Sequence, residues 1–85
     1  MKHLQKLKDK KGKIVIFTRS GCIFCSRIID LFDENSVKYI NYCLDKDFTR
    51  EKFKKMFGQN ATFPRVVINN KLVGGYDDTV KLLSE

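Results

Sequence analysis

Cys22-Ile23-Phe24-Cys25 lies between an apolar, strand-like run, Ile14-Val15-Ile16-Phe17-Thr18, and a segment in which Ile28, Ile29, Leu31 and Phe32 recur at helical spacing. A pair of cysteines at a strand-to-helix junction is a redox signature more than a metal signature. Two residues between the thiols let them close a small disulfide, and a cysteine at a helix N-terminus gains thiolate character from unpaired backbone N–H groups and the helix dipole. Cys22 is therefore the expected nucleophile.

The rest of the composition leaves room for one site. At 85 residues the chain makes a single small domain, 1–85, with a modest core. Hydrophobic residues at 42%, seven Phe and a single Pro suit a structured, aromatic-rich interior and not a disordered tail. No apolar run approaches the roughly 18 residues needed to span a bilayer, and Met1-Lys2-His3-Leu4-Gln5 lacks a secretory h-region. A soluble, cytoplasmic protein without a membrane partner is expected. Three cysteines are an odd number, which argues against a disulfide framework and for a reducing compartment. Cys43 reads as a small buried apolar residue, with a regulatory disulfide as its alternative. His3 is the single histidine, so no Cys-His zinc spacing exists and no metal is expected. The net charge of +7 suits an acidic partner or an anionic ligand. Its dense block, Lys2, Lys6, Lys8, Lys10, Lys11 and Lys13, has few interleaved aromatics and reads as a solvated face, not a nucleic-acid site.

Along the chain, a first helix is expected over about residues 2–10, stopping near Gly12, followed by an apolar strand over 13–18 of the kind buried on both faces. A helix over 22–34 ends at Asn35-Ser36, and a second strand covers 37–43. After the polar turn Asp45-Lys46-Asp47, a helix over 49–57 places Phe53, Met56 and Phe57 on one face and stops at Gly58. Pro64 opens a strand over 65–68, Asn69-Asn70 turns a hairpin, and 71–73 returns. Gly74-Gly75 breaks that strand, and Asp77 or Asp78 caps a last helix carrying Val80, Leu82 and Leu83. The order is α-β-α-β-α-β-β-α.

Three separated blocks carry a resemblance: Cys22-Ile23-Phe24-Cys25, Thr62-Phe63-Pro64 and Gly74-Gly75-Tyr76-Asp77-Asp78. Together they resemble the glutaredoxins over essentially the whole chain; that family carries Cys-Pro-Tyr-Cys or a relative, Thr-Val-Pro, and Gly-Gly followed by an acidic residue. The resemblance implies an α/β, thioredoxin-like fold, three-layer α/β/α with a four-stranded mixed sheet. It also implies glutathione as co-substrate, a monomer, and disulfide-bonded or glutathionylated proteins as substrates.

The site residues it implies each have a chemical reason for a tripeptide with two carboxylates, an amine and a thiol. Arg19 would pair with a carboxylate and favour the Cys22 thiolate. Thr62 and Pro64 frame Phe63, whose extended backbone would offer N–H and C=O as a strand partner, and the Phe63–Pro64 bond should be cis. Gly75 permits close approach, Tyr76 opens a helix N-terminus for the γ-glutamyl carboxylate, and Asp77 with Asp78 supplies an acidic partner for the amine. Arg50 stands where the family places a basic or polar contact.

The chemistry implied is thiol–disulfide exchange, with Cys22 attacking and Cys25 resolving. Two departures stand out. Ile23 replaces the usual Pro and restores an N–H, and in some members loss of that Pro accompanies a glutathione-ligated [2Fe–2S] cluster bridging two chains, here through Cys22. Phe24 replaces Tyr and keeps an apolar wall, which Phe63 in place of Val would enlarge. Besides the glutathione-dependent oxidoreductase, two readings therefore stay open: an iron–sulfur carrier, and a redoxin reduced by thioredoxin reductase that feeds ribonucleotide reductase.

Overall fold

The computed structural model describes residues 13–84, so the helix expected over 2–10, its stop near Gly12, His3 and the lysines from Lys2 to Lys11 lie outside the described residues. The run from Ile14 to Thr18 forms β1, and α1 follows as Ile23–Glu34. Next come β2 (Ile40–Cys43), α2 (Arg50–Phe57), β3 (Arg65–Ile68), β4 (Lys71–Gly74) and α3 (Tyr76–Ser84). The sheet order is β2-β1-β3-β4; β1 runs parallel to β2 and antiparallel to β3, and β3 runs antiparallel to β4. This is the mixed four-stranded sheet of the thioredoxin-like fold.

Alternation along the strands sorts the side chains into two faces. Ile14 and Ile16 of β1 and Val66 and Ile68 of β3 meet Ile28 and Phe32 of α1, Val37, and Leu83 of α3 in a mostly aliphatic core. The opposite face is aromatic. Phe17 packs edge-on against Phe48 and Phe57, with ring centroids 5.4 and 5.1 Å apart, which places α2 across the sheet from α1 and α3. The continuous apolar run of β1 predicts burial on both faces. Instead Val15 and Phe17 are half-buried while Ile14, Ile16 and Thr18 are buried, because among the described residues the short α2 reaches the Phe17 end of that face. Met56 turns out of the aromatic face expected for it and is 53% exposed. Among the described residues no helix is long and apolar enough to cross a membrane.

Capping chemistry places the element ends. The helix expected from Cys22 begins one residue later, with Cys22 as its N-cap. At the other end Ser36 takes φ 57°, its N–H reaches the Asp33 carbonyl at 3.1 Å, and the Val37 N–H reaches that of Phe32 at 2.9 Å. This is a Schellman stop with Val37 folded into the core beside Phe32. It explains why the strand expected from residue 37 starts only at Ile40: Val37 closes the helix, and the chain joins the sheet after it. Thr49 is the N-cap of α2, accepting the Lys52 N–H on its hydroxyl at 3.2 Å. Asn69 and Asn70 have φ of 52° and 68°, the double positive φ of a type I′ hairpin turn.

The start of α3 differs from expectation. Neither acid precedes the helix; Tyr76 already belongs to it, and the Gly75 N–H donates to Asp78 Oδ2 at 3.2 Å from inside the first turn. Asp78 thus plays the back-reaching part of a capping box.

Candidate active site

β1 ends at Thr18, and a turn through Gly21 (φ 71°) swings the chain so that Cys22 meets the first turn of α1. Cys22 and Cys25 are joined as a disulfide with Cα atoms 5.2 Å apart. The Cys25 N–H donates to Cys22 Sγ at 3.2 Å, so the first sulfur sits where the orphan N–H groups and positive end of the helix converge. The first turn holds no acidic residue to oppose charge on that sulfur. Cys22 keeps 8% of its surface and Cys25 3%, so both residues are buried and the first is slightly the more open. Ile23 points outward and is 63% exposed.

Beside this dithiol runs a groove of about 240 Å³ built from three distant segments. One wall is Phe24, its ring 5.8 Å from that of Tyr76. The floor is Thr62, Phe63 and Pro64, entering β3 through Arg65, and the far wall is Gly75 to Asp78 at the start of α3. The Phe63–Pro64 peptide is cis, as the resemblance implies. Among the described residues, neither the N–H nor the C=O of Phe63 has a backbone partner, although those of the neighbouring strands are paired. The Phe63 ring does more than enlarge a wall. It stacks on Phe53 of α2 with centroids 4.0 Å apart and on Phe48 at 6.1 Å, so the turn is pinned to the aromatic face of the sheet.

Not every implied residue joins the groove. Arg19 lines a separate recess of about 330 Å³ with Cys22, Cys25 and Ile23, where its Nη1 donates to the Ser20 carbonyl at 3.2 Å. Arg50, exposed at the first position of α2, lines neither cavity. Cys43 is half-buried and unpaired at the end of β2, less covered than a core residue, because β2 is an edge strand whose other three residues are exposed. Two groups escaped the sequence reading. Arg27 sits over the Phe24 ring at 5.2 Å, a cation–π contact that the i, i+3 spacing on a helix signals. Arg65 lines the groove, and its signal was adjacency to Pro64 together with strand alternation, which turns it away from the buried Val66 and Ile68. Among the described residues no three His, Cys, Asp or Glu side chains gather as a metal-ion site.

A thioredoxin-like sheet with a Cys-x-x-Cys pair at the head of its first long helix defines a thiol–disulfide oxidoreductase. The glutaredoxin family model matches residues 14–73. A Synechocystis protein named a probable glutaredoxin is 34% identical over 72 residues, covering 84% of this chain and 82% of its own, and glutaredoxin 1 of Rickettsia prowazekii is 35% identical over 74 residues, covering 85% and 78%. Among solved structures, a buckwheat glutaredoxin–glutathione complex superposes with a TM-score of 0.73 at 29% identity, covering 95% of this chain and 78% of that one. Glutaredoxin 1 of Francisella tularensis gives 0.69 at 26%, covering 87% and 99%. The chain belongs to the glutaredoxin family.

Proposed function

We propose that the protein reduces glutathione mixed disulfides and protein disulfides in a reducing compartment, with glutathione as co-substrate. The observation that carries this reading is the groove beside the dithiol, whose floor is the unpaired backbone of Phe63 and whose wall bears Asp77. An extended thiol peptide lying there would gain strand-type hydrogen bonds from Phe63, while Asp77 would take its ammonium and the start of α3 its carboxylate. The glutathione bound to the buckwheat relative supports the same reading.

In the one-cysteine route, the Cys22 thiolate attacks the glutathionyl sulfur of a mixed disulfide. The substrate sulfur leaves as a thiolate and takes a proton, and the glutathionyl group stays on Cys22. A second glutathione thiolate attacks the glutathionyl sulfur, releasing oxidised glutathione and restoring the Cys22 thiolate. In the two-cysteine route, Cys22 attacks a protein disulfide and Cys25 displaces the substrate from Cys22, leaving the Cys22–Cys25 disulfide. Two glutathiones then reduce that disulfide and leave as one oxidised glutathione.

The test is a coupled assay with glutathione, glutathione reductase and a glutathionylated peptide. Cys22→Ser abolishes turnover, whereas Cys25→Ser keeps deglutathionylation and loses reduction of a protein disulfide. Activity surviving in Cys22→Ser overturns the mechanism. Loss of deglutathionylation in Cys25→Ser overturns the division of roles.

A further inference from the structure

The floor of the groove is held from three directions. The Phe63 ring stacks on Phe53, Pro64 is fully buried against the start of α3, and the third hold comes from Arg65. Its Nε donates to the Thr62 carbonyl at 2.9 Å and its Nη2 to the Thr62 hydroxyl at 3.1 Å. Two donors of one planar guanidinium thus hold two oxygens of one residue, a fork that a single ammonium cannot reproduce. With Thr62 engaged below and Pro64 lacking an N–H, Phe63 is the residue of this turn whose backbone donor and acceptor remain for a ligand.

We propose that Arg65 is a positioning residue for glutathione. By holding the carbonyl and hydroxyl of Thr62, it keeps the Phe63 peptide in the extended orientation that an incoming peptide can pair with. The guanidinium acts through Thr62 and not by contact with sulfur, so it governs affinity for the glutathionyl group and leaves the nucleophile alone. The inference rests on the glutathione reading above. Because the fork and not the charge is what matters, lysine at this position is a poor substitute, which separates positioning from simple attraction of an anion.

The experiment compares the parent protein with Arg65→Lys and Arg65→Ala in the coupled assay, varying the glutathionylated peptide. Alongside it, iodoacetamide modification of Cys22 is followed against pH, and thermal melting confirms folding. Both variants should raise KM for the glutathionylated peptide by about five- to tenfold, as expected for the net loss of one ordinary hydrogen bond, with kcat within about twofold and an unchanged alkylation profile. Thr62→Val, which removes one of the two acceptors, should raise KM by a smaller factor in the same assay. KM unchanged in Arg65→Ala overturns the inference, as does parental KM in Arg65→Lys. So does a KM rise accompanied by a shifted alkylation profile, since the residue would then be acting on Cys22. A parent protein inactive on the glutathionylated peptide removes the glutathione reading itself, and this inference with it; an active parent with indifferent Arg65 variants removes the inference alone.

Discussion

At Gly74 a single absent Cβ joins β4 to α3. Its φ of 129° is a region that side chains disfavour, and an added Cβ would sit inside the Asp78 carboxylate that caps the Gly75 N–H. Gly74→Ala should therefore cost about 2–3 kcal/mol in urea unfolding, from backbone strain together with steric conflict. In the Asp78→Ala background the same change should cost less, because the overlap with the carboxylate is gone while the backbone strain and the close approach to the residue 78 Cβ remain. Tyr39 makes a different residue-scale prediction. Its hydroxyl donates to Asp33 Oδ1 at 2.8 Å, and burial, then the Asp33 hydrogen bond and nearby carboxylate charge, push its pKa up to about 12 from 10.0. Between those values the folded chain holds a proton that the unfolded chain has released, so stability falls as pH rises. The contribution is complete below pH 10 and lost by about pH 12. Comparing urea midpoints at pH 9 and pH 11.5 should show a larger fall for the parent than for Tyr39→Phe.

Among the elements, α2 has the weakest local claim to exist. It has eight residues, carries four cations against one acid, and buries only Phe53. Isolated helices of this length are unstable in water, so its cap and its aromatic anchor hold it. Thr49→Ala removes the acceptor for the Lys52 N–H and should lower stability by about 1 kcal/mol in urea unfolding. The same change should leave Cys22 alkylation untouched, since α1 has its own cap. This element also shows what a sequence pattern can and cannot disclose. The spacing of Phe53 and Phe57 marked a helix with an aromatic face, and Gly58 marked its end. That Met56 would stand outside that face, and that the partner ring would be Phe63 from the turn before β3, depended on a stacking geometry set by residues ten apart in the chain. Likewise the β-formers Val37 and Tyr39 signalled strand, but the Schellman stop of α1 took Val37 and the pairing with β1 begins only at Ile40.

For the whole molecule, a net charge of +7 attracts anions before contact. The Debye length shrinks from about 30 Å at 0.01 M salt to about 8 Å at 0.15 M, so kcat/KM for an acidic glutathionylated peptide should fall by roughly three- to tenfold over that range. A neutral peptide should respond less, and equal responses would show that the charge plays no steering role. At this scale the division between sequence and tertiary structure is clearest. The strand runs, helix stops, hairpin turn and helix-head cysteine were legible because each depends on a few neighbouring residues: an apolar period, a cap, a pair of asparagines that accept positive φ. The groove was legible only as three motifs matched to a family, because nothing in local chemistry says that Phe24, Thr62 to Arg65 and Gly75 to Asp78 meet. The sheet order decided that, since pairing β3 between β1 and β4 brings the entrance of β3 and the exit of β4 to the head of α1. Packing also decided that Arg19 would line a recess of its own, that Arg50 would stand apart from both cavities, and that Arg65 would hold the groove floor. Caps and periods act over a few bonds and can be read along the chain, whereas the adjacency of loops and the direction of a side chain are settled by every element that competes for the same space.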